Sequence, residues 1–155
     1  VKVSPNVPNV GLIAQAAEAN GADAITAVNT MGPGMLIDIQ MRRPILSNKV
    51  GGVGGMAIYP IALRCVYEIY QKVKIPIIGT GGIIKGNDAI AMLMAGATLL
   101  GIGSALAYHD LKAFNLLTDK IRDFMKEEGL TDLSELVGLA HGNGVDHSKL
   151  DNTTS

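Results

Sequence analysis

Three groups of glycines hold most of the chemistry this sequence could do. Gly79, Gly81 and Gly82 follow the apolar run 75–78, and Gly103 and Ser104 follow the run 97–102. Gly51, Gly52, Gly54 and Gly55 crowd one stretch of a long loop. A glycine has no Cβ, so backbone N–H groups beside it can close on an anion. A helix that starts just after such a loop adds the positive end of its dipole. The pattern points to a phosphate. The other reading is that these glycines only turn tight strand-to-helix corners. Two clusters in consecutive units, with a third upstream, favour the phosphate. The dinucleotide fingerprint G-x-G-x-x-G fails, because Ile84 and Leu106 stand where its third glycine would be. The P-loop ending Gly-Lys-Ser/Thr is absent too.

Polar residues near the same places come next. Lys2 stands in the apolar opening Val1-Lys2-Val3-Ser4. A lysine in a barrel strand is costly unless its ammonium meets an anion or a polar partner; an exposed edge lysine is the alternative. Asn29 and Thr30 end the apolar run 24–28. Asn offers a donor and an acceptor, which suits an imide or carboxylate edge; a plain turn pair is the alternative. Cys65 falls mid-helix and reads as a small buried hydrophobe. His109, His141 and His147 show no metal-ligand spacing. His109 reads as a solvated loop residue or a rim residue of the site. Arg42 and Arg43 read as a solvated loop pair, with a lid or partner contact as the alternative. Met92 and Met94 read as core. No residue of the chain is assigned as a catalytic base or a metal ligand.

These residues need a scaffold that gathers strand ends. Residues 1–4 form a strand that stops at Pro5. Asn9 caps a helix with Leu12, Ile13, Ala16 and Ala17 as its apolar face, closed by Gly21. Residues 24–28 read as a buried strand. The stretch 29–57 is irregular, with a small hairpin over 35–43; so long a loop inside a compact domain is usually functional. Pro60 opens a helix to Val73, with Leu63, Val66, Tyr67 and Tyr70 inward. Residues 75–78 form an apolar strand of the parallel type. Asn87 caps a helix to Ala95, closed by Gly96. A strand over 97–102 and a helix over 111–128 follow, the latter stopped by Gly129. Thr131 caps a last short helix through Leu136, and 141–155 is a polar, flexible tail. Four β-α units imply a parallel sheet covered by helices. The choice lies between a doubly wound sheet and part of a (β/α)8 TIM barrel. A barrel needs roughly 250 residues, so residues 1–140 would be about half of one.

Composition narrows the class. Apolar residues at 48% and charged residues at 17% of 155 residues support a packed core and exclude global disorder. The 19 glycines follow no G-X-Y period, which excludes collagen. Thirteen basic residues balance 14 acidic ones, and there is no Trp. Both facts speak against a nucleic-acid binder. One cysteine permits neither an internal disulfide nor a C-x-x-C metal site, which suits a reducing compartment. No apolar run of about 18 residues is present to span a membrane, and no signal-peptide pattern opens the sequence. The expectation is a cytoplasmic protein. Because Val1 opens directly on a strand, further sequence upstream is expected.

Several motifs stand together in order. They are Val1-Lys2-Val3-Ser4-Pro5-Asn6, Val28-Asn29-Thr30, Asn48-Lys49-Val50-Gly51-Gly52, Ile75-Pro76-Ile77-Ile78-Gly79-Thr80-Gly81-Gly82-Ile83 and Gly103-Ser104. Taken together they resemble dihydroorotate dehydrogenase, above all the catalytic subunit of the NAD-linked, two-subunit type. The resemblance runs through Leu136-Val137-Gly138-Leu139-Ala140. It implies the C-terminal half of an FMN-binding (β/α)8 barrel that oxidises dihydroorotate to orotate in de novo pyrimidine (UMP) biosynthesis. Lys2 would lie at the N1–C2 carbonyl edge of the flavin, where a positive charge stabilises negative charge on the ring. Val28 would give a backbone contact to FMN, and Asn29 and Thr30 would hold orotate. Gly55, Gly81, Gly82, Gly103 and Ser104 would line the ribityl-phosphate region.

Two departures from the family pattern bear on these roles. The serine usual before the glycine aligned with Gly55 is Gly54 here, so a hydroxyl is lost. The usual Gly-Thr is Gly103-Ser104, which keeps its hydroxyl. The resemblance also puts the cysteine base, a lysine and several substrate-gripping asparagines upstream of Val1. Cys65 is therefore not that base, and the isolated chain is expected to be inactive. The implied partner is an electron-transfer subunit with FAD and a 2Fe-2S cluster, in a complete enzyme that is a homo-oligomer. The alternatives are a non-catalytic phosphate-binding half-barrel and a fragment of another flavin barrel, such as a dihydropyrimidine dehydrogenase-like domain.

Overall fold

The apolar runs pair side by side as parallel strands, each followed by a helix. The computed structural model describes residues 1–142. In chain order the elements are β1 (Lys2–Val3), α1 (Val10–Ala19), β2 (Ile25–Ala27), β3 (Met31–Gly34), β4 (Ile37–Asp38), β5 (Arg43–Pro44) and β6 (Gly51–Val53). Then come α2 (Tyr59–Tyr70), β7 (Ile77–Thr80), α3 (Gly86–Met94), β8 (Leu99–Gly101), α4 (Ser104–His109) and α5 (Lys112–Glu127). β1, β2, β7 and β8 form one sheet in that spatial order, every pair parallel. A doubly wound sheet reverses its strand order at a switch point. These four strands show no reversal.

The two faces of the sheet differ. Val3, Ala27 and Gly79 share a register row and are buried, as are Ile25 and Ile77 on the same face. The helices pack there, with Val66, Ile69 and Met92 in one continuous core. Burying an aliphatic side chain of this size contributes roughly 1.5–3 kcal/mol. The other face carries the row Lys2, Thr26, Ile78 and Leu99. Among the described residues no helix packs on it; Lys2 is exposed, Leu99 is 59% exposed, and Thr26 and Ile78 between them are half-buried.

Several local signals are used as the sequence implies. Asn9 Oδ1 accepts the Leu12 N–H at 3.0 Å, and Gly21 takes φ +88° just past the α1 C-cap. Pro60 lies in the first turn of α2. Glu18 Oε1 accepts the N–H groups of Lys74 and Ile75 at 2.8 and 3.1 Å, so the end of α1 holds the entry to β7.

Other expectations are corrected. The inner face of α1 is Val10, Gly11 and Ala14, while Leu12 is 53% and Ile13 48% exposed. The reason is close helix packing. A Cβ on Gly11 would stand 3.0 Å from Lys72 Cγ and 3.2 Å from the Glu68 carbonyl. In α2 the inward residues are Ala62, Cys65, Val66 and Ile69. Tyr67 and Tyr70 turn outward and take the His141 ring, with centroids 3.8 and 4.7 Å away. α3 starts at Gly86 and not at Asn87, because Asp88 Oδ2 accepts the N–H groups of Ile84 and Lys85 at 3.0 and 2.8 Å. The final turn, Leu133–Glu135, is capped by Asp132 and not by Thr131. Glu135 Oε1 accepts both their N–H groups at 2.8 Å. Leu136 is then fully buried against Ile90 and Leu93.

The loop after β2 contains the expected hairpin as β4 and β5. It also contains the antiparallel pair β3–β6, which the sequence did not suggest. Gly, Pro and Gly in those strands hide any strand pattern. Of the expected polar tail, residues 143–155, including His147, lie outside the described residues.

Candidate functional site

The carboxyl ends of β1, β2, β7 and β8 meet the loops after them around a cavity of about 170 Å³. Lys2, Val28, Asn29, Thr30, Gly55, Gly81, Gly82, Gly103 and Ser104 all line it, joined by Gly54, Ile58 and Thr80. The nine residues singled out in the sequence are thus brought together, although they span 103 positions of the chain, from Lys2 to Ser104.

Backbone bonds set the rim. The Val28 N–H donates to the Thr80 carbonyl and the Asn29 N–H to the Val3 carbonyl, both at 2.8 Å. The end of β2 is thereby fixed between β1 and β7. Asn6 ties down the start of the next loop, since its Nδ2 donates to the Thr30 carbonyl at 3.4 Å and its Oδ1 accepts the Gly32 N–H at 3.1 Å. Gly82 has φ +73°, and a Cβ there would stand 2.5 Å from the Gly55 carbonyl and 3.0 Å from Tyr59 N. The loop after β7 and the turn at Gly55 therefore touch through bare backbone. A Cβ on Gly55 would lie 3.9 Å from Ser104 Oγ, so this turn also faces the start of α4.

The electrostatics suit an anion. Among the lining residues Lys2 carries the only formal charge, and no carboxylate is present. The described residues hold two ion pairs, Arg64–Glu68 and Arg122–Asp119, neither involving Lys2. Lys2 stands on the helix-free face, in register with Thr26. The left-handed Gly55, Gly81 and Gly82 and the Ser104 hydroxyl offer donors suited to a phosphate, and the Lys2 ammonium adds a separate positive charge to the same cavity. The cavity is smaller than the roughly 300–1,000 Å³ of an ordinary ligand pocket. An FMN phosphate fits this donor set.

Other candidates fall elsewhere. A larger apolar cleft of about 360 Å³ lies inside the β3–β6 excursion between Leu36, Leu46 and Val53. It has no titratable lining residue and no chemistry. Cys65 is fully buried, and that burial pushes its thiol up, against the opposing pull of Arg64. Such a thiol is inert. His109 ends α4 and is not among the residues lining the cavity. No cluster of three His, Cys, Asp or Glu side chains gathers among the described residues. Sequence reasoning gave Thr80, Ile58 and Asn6 no role of their own. Thr80 and Asn6 did carry a signal, since both stand within the motifs quoted above.

A parallel sheet without strand-order reversal and a glycine-lined cavity at its carboxyl rim define an α/β protein of the class in which ligands sit at strand ends. The family model for dihydroorotate dehydrogenase matches residues 1–125, and the chain belongs to that family. It is 46% identical over 140 residues to the "Dihydroorotate dehydrogenase B (NAD(+)), catalytic subunit" of Methanothermobacter thermautotrophicus, which covers 90% of this chain and 46% of the relative. The protein of the same name from Alkaliphilus oremlandii is 47% identical over 138 residues, covering 89% of this chain and 45% of the relative. The chain thus spans about half the length of the curated relatives it matches. In fold it is similar to the ligand-free DHODH of Eimeria tenella, with a TM-score of 0.76 at 23% identity, over 92% of this chain and 40% of that one. The ferulenol complex of the same organism's DHODH gives 0.75.

Proposed function

We propose that this chain is part of the catalytic subunit of an NAD-linked, two-subunit dihydroorotate dehydrogenase, acting in de novo pyrimidine biosynthesis. In this reading it supplies the FMN cradle and part of the orotate site. The observation that carries it is the cavity itself, where residues from four strand ends meet with an ammonium, left-handed glycines and no carboxylate.

An FMN held here would supply the hydride acceptor for the oxidation of dihydroorotate. The chain's residues do the rest of what falls to this half. Gly81, Gly82, Gly103 and Ser104 hold the phosphate through N–H groups and the Ser104 hydroxyl. Gly55 lines the ribityl side, and Val28 offers its backbone to the ring. Lys2 sets a positive charge where the ring gains negative charge. Asn29 and Thr30 give the donors and acceptors that orient orotate. No cysteine, histidine or carboxylate lines the cavity. In this reading, as the resemblance implies, the base that takes the C5 proton comes from sequence upstream of Val1.

The architecture proposed is the C-terminal half of a (β/α)8 barrel. The unreversed strand order, the helix-free sheet face and the shared half-length with relatives support it. The relatives' name supports an electron-transfer partner, carrying FAD and a 2Fe-2S cluster in this reading. Exposed apolar residues of the β4–β5 hairpin, such as Ile39 at 85%, support a homo-oligomer. No helix among the described residues is long and apolar enough to cross a membrane, which accords with a cytoplasmic enzyme.

The test compares this chain with the complete protein that carries it, using dihydroorotate, FMN and an artificial electron acceptor. The complete protein is expected to turn over and this chain not to. Turnover by the chain alone would overturn the placing of the base, and a complete protein inert toward dihydroorotate would overturn the reading.

A further inference from the structure

Thr80 joins three strands at the rim. Its carbonyl accepts the Val28 N–H from the end of β2 at 2.8 Å. Its hydroxyl donates to the Gly101 carbonyl of β8 at 2.7 Å. The two residues stand opposite each other in the β7–β8 register. The fit is close, since a Cβ on Gly101 would lie 2.9 Å from Thr80 Cβ and 3.1 Å from its Oγ1. Any side chain at 101 would push the hydroxyl away. Gly101 has no left-handed φ to explain it. Close approach to Thr80 is what requires a glycine there.

The position of this bond matters. Immediately after Thr80 come Gly81 and Gly82, and two residues after Gly101 comes Gly103, then Ser104. The bond is thus the last side-chain link between β7 and β8 before the two glycine loops diverge. β8 is an edge strand here and is held in the sheet only by β7.

We infer that Thr80 is a positioning residue whose bond to Gly101 sets the spacing of the Gly81–Gly82 and Gly103–Ser104 loops, so that both meet one phosphate. This rests on the phosphate-cradle reading of the proposed function. Thr80 does not itself hold the phosphate. It acts through the two loops.

The test uses the apo form of the complete protein, as wild type, Thr80→Val and Thr80→Ser. Three probes are titrated: FMN, riboflavin (the same ring and polyol without the phosphate) and inorganic phosphate. Flavin binding is followed by fluorescence quenching and phosphate binding by phosphorus NMR. Loss of a single hydrogen bond of this kind is expected to weaken FMN and inorganic phosphate about tenfold in Thr80→Val. Riboflavin should change by less than about twofold, and Thr80→Ser should restore all three. Equal weakening of FMN and riboflavin would show a general structural role and overturn the inference. So would a Thr80→Val protein with unchanged phosphate affinity, or a Thr80→Ser protein as weak as Thr80→Val. If wild type binds neither FMN nor riboflavin yet inorganic phosphate binds and is weakened by Thr80→Val, the flavin reading falls and the Thr80 role stands. A wild type that binds none of the probes overturns both.

Discussion

At the residue scale the cavity depends on what is left out. A side chain at Gly81 or Gly82 would collide with backbone or with neighbours, and the single formal charge is an ammonium. Lys2 is the residue whose loss should separate binding from chemistry. Lys2→Met in the complete protein is expected to keep its flavin while slowing flavin reduction by dihydroorotate roughly 10²-fold, the size of effect for one lost electrostatic stabiliser. Stopped-flow bleaching of the flavin band measures it, and an unchanged rate would remove Lys2 from the ring. Gly82 should behave differently. Alanine there needs φ +73° and collides with the Gly55 carbonyl, so Gly82→Ala is expected to cost about 1–3 kcal/mol in stability. It should also purify with little flavin. Retained flavin at an unchanged melting temperature would mean that the two loops need not touch.

At the element scale the helices are held by short polar links, and these titrate. Asp132 and Glu135 both sit below the usual carboxylate range. Ser134 bonds lower Asp132, and the backbone N–H groups of Asp132 and Thr131 lower Glu135. A lowered folded-state pKa means that stability is present above the unfolded value near 4 and is lost as pH falls through the folded one. The turn Leu133–Glu135 should therefore loosen below about pH 4. Amide exchange at Ser134 and Leu136 should accelerate there ahead of the sheet, and Glu135→Gln should flatten that dependence. A pH-independent rate in the wild type would refute the link. The same elements show what the sequence could and could not disclose. The four parallel strands and three of the helix boundaries were legible, because apolar runs, Asn9, Gly21 and Pro60 each carry a local signal. The inward faces of α1 and α2 were not. There, Gly11, Ala14 and Ala62 win over larger side chains because the helices approach so closely, and that is a tertiary effect. The cavity was legible for the opposite reason: Gly55, Gly81 and Gly82 are backbone requirements with positive φ, written in the sequence itself. Thr80 escaped notice because its role lies in a bond to another strand.

At the scale of the whole molecule, one side of the sheet carries no helix among the described residues. Leu99 is 59% exposed on the helix-free face, in one register row with Ile78, Thr26 and Lys2. Apolar residues such as Leu99 and Ile78 on a parallel sheet are ordinarily buried, since sheets of this kind are covered on both faces. In a closed barrel that row would point inward and pack against layers from the other strands. The half-barrel reading therefore gives Leu99 a specific energetic fate. In the complete protein Leu99→Ala should cost about 2–5 kcal/mol, as truncation of a buried leucine does. Leu133 serves as the control. It is 41% exposed, on the turn Leu133–Glu135 and not on the sheet. Leu133→Ala should stay within about 0.5 kcal/mol of wild type, the usual range for a surface change. Denaturant unfolding of the two variants beside the wild type measures both costs on one scale. Equal small losses would mean that the face stays open in the complete protein, and the four strands would then belong to an open sheet.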